Sequence, residues 1–249
     1  MTKKARRIEA DEYHDEDRYE HSGDVKIKKI TPKTDNQAHY MRKINGTSIT
    51  FGIGPAGTGK TWIAAVMAAQ ALKAGKIDRI VVTRPMIEVG EKVGHLPGEL
   101  EEKYEPYFRP VRDAFVDALG GSQVDYLIKS KKIEARPLEF LRGSTLKDSW
   151  VIADEMQNST PGQMKMFLSR IGNNAKFIIN GDIEQKDIAG RSGLEDGLIR
   201  LAGLPDVAIV NFNIDDIVRS GLARDIIIRY QGKPTEGDYL EGLKRFMTG

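Results

Sequence analysis

The chain has no cysteine, which excludes disulfides, thiolate metal sites and thiol catalysis and makes the protein indifferent to redox compartment. Its four histidines are scattered and never adopt the spacing of a zinc site. No apolar run approaches the roughly 18 residues that cross a bilayer, and Met1 leads into charge rather than an apolar leader core. The expectation is a cytoplasmic protein with no membrane partner. Nor is either charge in excess. The 38 basic and 36 acidic residues leave a formal +2, which argues against an extreme polyanion binder but leaves room for a local basic face. Internal repeats are absent. The 249 residues suffice for one α/β unit with a substantial core.

What is present is Gly54-Pro55-Ala56-Gly57-Thr58-Gly59-Lys60-Thr61, which fits the phosphate-binding pattern G-x-x-x-x-G-K-[ST] at every fixed position. The preceding residues 48–53 are apolar and β-prone, and the alanine-rich 61–73 reads as a buried helix. The loop therefore joins a strand to a helix. In that setting its glycines turn backbone N–H groups toward phosphate oxygens, and the helix start adds its positive end. Lys60 is then placed to reach the β and γ phosphates and the Thr61 hydroxyl to ligate Mg²⁺, so the ligand implied is a nucleoside triphosphate.

Around this loop the chain divides into a charged, aliphatic-poor tail over 1–24 expected to be disordered, a P-loop ATPase domain over 25–230, and an extension over 231–249. An edge strand is predicted at 25–29 and a helix at 36–44, with Gln37 near its start, where a side-chain amide could pair with adenine N6 and N7. The run 79–83 predicts a second strand, which places Thr83 and Arg84 at a carboxyl end where phosphate is met, or where Arg84 pairs with Glu88. Residues 86–98 are rich in glycine and charge, and Pro106 and Pro110 are expected to split 99–119 into two short helices. Strands follow at 133–137 and 150–153, the latter delivering Asp154 for the metal and Glu155 to prepare a water. A helix over 161–170 packs Met164, Met166, Phe167 and Leu168. The strand 176–180 leads to Gly181, Asp182 and Gln185, the last placed to sense a γ phosphate or position water. A final strand, 207–212, precedes Asp215, read as the cap of a helix over 216–230 carrying Arg219 and Arg224. Alternating strand and helix signals predict a three-layer α/β sandwich with a mainly parallel sheet.

FGIGPAGTGKT, VVTRP, EVGEKVGHLPGEL, DEMQNSTPGQMKMFLSRIG, NGDIEQKD, RSGL and DIVRS together resemble the PhoH family of ATPases, cousins of the RecA-like first core of superfamily 1 helicases. The likeness runs from about 36 to 230. By it, Gln37 is similar to an adenine-reading Q motif, Lys60 and Thr61 to the Walker A pair, and Asp154 and Glu155 to the Walker B pair. Gln185 corresponds to the Gln of G-D-x-x-Q, and Arg84 to a T-R-P segment near the nucleic-acid strand. Arg219 corresponds to the arginine of V-R-H. Two departures stand out: Val218-Arg219-Ser220-Gly221 replaces V-R-H-P, and Arg142-Gly143-Ser144-Thr145 replaces R-G-R-T, where Ser144 removes a charge. Arg142 and Arg219 thus both compete for the part of arginine finger.

The resemblance implies Mg²⁺-dependent ATP hydrolysis, with Gln185 coupling the γ phosphate to movement. A second helicase core is expected to be missing, so a homo-oligomeric ring, a hexamer by the resemblance, would let each subunit lend an arginine to its neighbour. Single-stranded RNA or DNA is the implied partner. The short, core-only members that the chain resembles include phage-encoded ones, for which the compartment is the host cytoplasm. Two other readings stay open: an ATP-dependent switch or scaffold with incidental hydrolysis, and, less favoured, a small-molecule kinase, against which stands an Asp-Glu pair suited to water activation.

Overall fold

A computed structural model describes residues 27–86, 100–219, 221–230 and 237. The tail 1–24, Glu88 with most of the 86–98 stretch, Ser220 and, apart from Gly237, the extension 231–249 lie outside the described residues. Among the described residues six strands form one sheet: β1 (Ile49–Ile53), β2 (Arg79–Arg84), β3 (Ile133–Pro137), β4 (Ser149–Ala153), β5 (Lys176–Gly181) and β6 (Val207–Asn211). Every pairing is parallel, in the order β3-β2-β4-β5-β1-β6. The helices are α1 (Asp35–Gly46), α2 (Lys60–Lys73), α3 (Leu100–Leu119), α4 (Gly121–Lys129), α5 (Pro161–Leu168), α6 (Gly193–Leu201) and α7 (Leu222–Tyr230).

The inner strands are continuously apolar because helices cover both faces, as a parallel sheet requires. Their side chains alternate between two cores. Ile80, Val82, Trp150, Ile152 and Ile178 point into the cluster built by α1, α2, α3 and α4. Val81, Val151, Ala153, Phe177 and Ile179 point into the other, beneath α5 and α6. There Phe167 stacks on Phe177 with ring centroids 4.6 Å apart, a pair worth about 0.5–1.5 kcal/mol beyond its burial. Three layers result, and the chain folds as an α/β sandwich.

Three expectations need correction. Residues 27–29 form no strand; they run beside α3, where the Lys28 N–H donates to Ala118 O and the Lys28 ammonium pairs with Asp117. Pro106 and Pro110 do not break α3, which continues through both. Tyr104, Phe108, Val111, Phe115 and Ala118 make one buried stripe that anchors the helix, whereas both prolines lie on its exposed face, where carbonyls freed of partners meet water. Finally, Asp215 does not cap a helix over 216–230. Asn213 caps a single 3-10 turn, Ile214–Asp216, and α7 begins only after Gly221, leaving Arg219 on the irregular link between them.

The order puts β1 between β5 and β6, with β4 beyond β5. The segments leaving the carboxyl ends of β1, β5 and β4 therefore converge on one edge of the molecule, where open α/β sheets bind ligands.

Candidate functional site

The glycine-rich loop leaves β1 with its first N–H, that of Gly54, donating to Gly181 O at the end of β5, 3.1 Å away. Gly57 and Gly59 both sit at φ +84°, a conformation that side-chain-bearing residues rarely adopt and that lets successive N–H groups turn inward. Gly59 is the N-cap of α2 and supplies no side-chain acceptor, so the helix start keeps its donors and its positive dipole end for an anion.

Lys60, 9 % exposed, folds over this loop and donates to Gly54 O (2.7 Å), Pro55 O (2.8 Å) and Thr58 Oγ1 (3.2 Å). Burial lowers its pKa, opposed by the charges of Asp154, Asp182 and Glu155. The next side chain, the Thr61 hydroxyl, donates to Asp154 Oδ1 at 3.0 Å, joining the start of α2 to the end of β4. The Asp154 carboxyl is pushed up to about 6, chiefly by burial and then by Glu155; the Thr61 hydrogen bond, Arg84 and Lys60 pull it back. A hydroxyl and a carboxylate oxygen in contact, beside a cradle of backbone N–H groups, make a donor set that fits Mg²⁺ held next to a phosphate.

Glu155 follows with its backbone in the left-handed region, φ 53° and ψ 36°, uncommon for a residue other than glycine. Together with Asp182 and Gln185 beyond β5 it lines a cavity of about 460 Å³ that also receives Gly57, Lys60, Thr61 and Arg219. Residues predicted from four separate stretches thus meet in one cleft.

The two arginines differ. Arg219 lies against its own loop: a Cβ at Gly57 would be 3.4 Å from Arg219 Cγ and Cδ, and the neighbouring Val218 N–H donates to Gly57 O at 3.0 Å. That placement brings Arg219 to the wall of its own chain's cleft. Arg142 is exposed beyond the 3-10 turn Leu138–Leu141 and does not line the cleft.

Gln37 braces the phosphate loop. It is 3 % exposed; Nε2 donates to Thr58 O at 2.9 Å, and Oε1 accepts from the Lys33 N–H at 2.7 Å. The amide thus gives one bond from each end to the chain's own backbone and keeps a second N–H and a second lone pair. It does border a second hollow of about 440 Å³, lined also by Lys33, Trp62, Ile63 and Val218. Arg84 lies with its guanidinium carbon 5.8 Å from the Tyr107 ring centre, close enough to Asp154 to lower its pKa. Among the described residues, its Nε has no hydrogen-bond partner.

Sequence reasoning missed the wall contributed by α3, where Asp113 and Asp117 face the cleft. Asp117 accepts from Trp62 Nε1 (2.8 Å) and from the Lys28 ammonium (2.9 Å), and these bonds hold its carboxyl below the usual range. The contact spans 55 positions, so no local pattern announces it.

A model of the family described as PhoH-like protein matches residues 29–231. The chain belongs to the PhoH family. Relatives include the PhoH-like protein of Bacillus subtilis, 45 % identical over 208 residues, covering 83 % of this chain and 65 % of that protein. Protein PhoH of Escherichia coli is 44 % identical over 205 residues, covering 81 % and 58 %. The chain thus spans about three-fifths of the length of these curated PhoH relatives. Among solved structures, the large terminase from a thermophilic bacteriophage aligns with a TM-score of 0.49 and 11 % identity over 82 % of this chain and 52 % of that one. Among the described residues, no helix is long and apolar enough to cross a membrane.

Proposed function

We propose that this PhoH-family chain is a Mg²⁺-dependent ATP hydrolase that works as a homo-oligomeric ring and couples turnover to single-stranded RNA or DNA. The observation that carries the hydrolase reading is the meeting of the phosphate loop, the Thr61–Asp154 contact, Glu155 and Gln185 around one cavity. The triphosphate lies along the loop, and the 440 Å³ hollow beside Trp62 and Val218 takes the base. Lys60 exchanges its loop carbonyls for β- and γ-phosphate oxygens. Thr61 and Asp154 would hold Mg²⁺, which would supply positive charge beside the same phosphates. Glu155 aligns a water and accepts its proton, Arg219 meets charge on the γ phosphate from within the chain, and Gln185 senses that phosphate.

Phosphate release from ATP, measured with and without single-stranded RNA or DNA, tests this reading. The expected result is Mg²⁺-dependent release, stimulated several-fold by nucleic acid, with log K for binding falling by about 0.7 per tenfold rise in salt for each neutralised phosphate. Tight nucleotide binding with negligible turnover under every condition would instead establish the switch reading.

The ring predicts complementation. Glu155→Gln and Arg142→Ala subunits should each be inactive alone and regain turnover when mixed, because a site with its own Glu155 then borrows Arg142 from its neighbour. Arg219→Ala mixed with Glu155→Gln should regain none, since both groups belong to one chain's site. A finger typically contributes about 10³ to 10⁵ in rate, so recovery stands far above background. Recovery with Arg219→Ala, or its failure with Arg142→Ala, reverses the assignment.

A further inference from the structure

Behind Glu155 lies a buried amide whose every polar atom is engaged. Gln157, 1 % exposed, donates from Nε2 to Glu155 Oε2 at 2.6 Å and to Gln185 O at 3.4 Å, and its Oε1 accepts from the Asp182 N–H at 3.1 Å. The next residue, Asn158, holds the far end of the same turn: Oδ1 accepts from the Asp187 N–H at 2.8 Å, and Nδ2 donates to Asp187 Oδ2 at 3.3 Å. Two adjacent amides thus clamp the segment that carries Gln185 at both ends.

A buried glutamine often does no more than fill a polar gap. Here its shortest bond leaves the scaffold for the carboxylate of Glu155, whose left-handed backbone persists only where surroundings over-determine it. Breaking one bond of so fully used an amide strands buried donors or acceptors, so its ends move together.

We propose that Gln157 is a positioning residue that ties the Glu155 carboxylate to the 182–187 turn, so that Gln185 at the γ phosphate and Glu155 at the water adopt their working positions as one unit. The proposal rests on the hydrolase reading. Gln157 is buried and does not line the cleft, so it acts through Glu155.

The test uses the full chain with Gln157→Met, which keeps the shape and removes the polar atoms, and Gln157→Glu, which removes the donor. Expected is a fall in kcat of at least about tenfold with KM for ATP and affinity for a non-hydrolysable ATP analogue within about twofold. Glu155→Gln combined with Gln157→Met should be no slower than Glu155→Gln alone, because coupled residues are non-additive. Unchanged kcat, or losses that simply add, would overturn the proposal. Hydrogen exchange gives an arm independent of turnover. On adding the analogue to wild type, protection at 154–159 and 182–187 should change together, and in folded variants the two segments should respond separately. Independent responses in wild type overturn the proposal even if neither variant folds. A wild type that binds the analogue without turnover sinks the hydrolase reading and leaves the exchange arm to decide this one.

Discussion

Glu155→Gln should leave ATP bound with unchanged affinity and slow its hydrolysis by about 10² to 10⁴, the usual contribution of a positioned general base. The substitution is conservative in shape. A glutamine amide at 155 still offers an oxygen to the Gln157 Nε2–H that now meets Oε2, so the clamp on the 182–187 turn survives and the fold should melt where wild type does. What is lost is the ability to take a proton. The proposed reading puts nucleotide affinity elsewhere, in the loop N–H groups, Lys60 and the Thr61–Asp154 pair, which keep their hydrogen bonds in the variant. Equilibrium binding of a fluorescent ATP analogue beside single-turnover phosphate release separates the two effects. Loss of binding in step with turnover would mean that Glu155 belongs to the affinity machinery. Unchanged turnover would remove it from the chemistry. In cells, a variant that keeps full biological activity while unable to hydrolyse ATP would favour the switch reading over the motor.

Much of this was legible in the residues, for identifiable reasons. Strands buried on both faces are apolar runs that periodicity finds, and the phosphate loop and the Asp154–Glu155 pair are contiguous motifs whose chemistry fixes their spacing. The misses have physical causes too. α6 was not predicted, and it carries Gly193 and Gly197, residues that weaken a helical signal. Gly193 instead lies where a Cβ would come within 2.4 Å of Thr160 O, and a Cβ at Gly197 would be 3.3 Å from Met164, so both are close-packing positions. A capping box, Ser192 with Glu195, was available to flag that helix. α3 was misjudged because a proline costs a helix only what its exposed carbonyls cannot recover from water, which local sequence does not reveal. Asp113, Asp117 and the engaged amide of Gln37 were invisible for another reason: their partners are set by how α1, α3 and the loop pack.

Asp154→Asn should do two opposite things, abolishing Mg²⁺-dependent turnover and raising the melting temperature of the nucleotide-free protein at pH 8. The carboxyl of Asp154 stands at about 6 in the folded chain against an ordinary 3.8. The folded state therefore binds the proton more tightly than the unfolded state does. Stability from this group falls as pH rises through the window from about 4 to 6, and the deficit persists above it. A difference of that size corresponds to at most about 3 kcal/mol, reduced in the variant because Lys60 loses a favourable charge. Asparagine keeps an oxygen for the Thr61 hydroxyl and removes the buried charge beside Glu155, so a gain of several degrees is expected, at about 2–4 °C per kcal/mol for a chain of this size. The gain should shrink below about pH 5, where wild type is itself protonated. Calorimetry at pH 8 and pH 5 tests the sign, and a lower melting temperature for the variant at pH 8 would refute it. The variant should lose at least about 10²-fold in turnover, because a metal ligand contributes several kcal/mol to charge stabilisation. Adding Mg²⁺ and a non-hydrolysable analogue should then reverse the order of melting, since ligand binding stabilises only the state that holds it and wild type holds it more tightly. A crossing of that kind is specific to a charge placed for a cation. A carboxylate kept for packing or hydrogen bonding would leave the two curves in the same order with ligand as without.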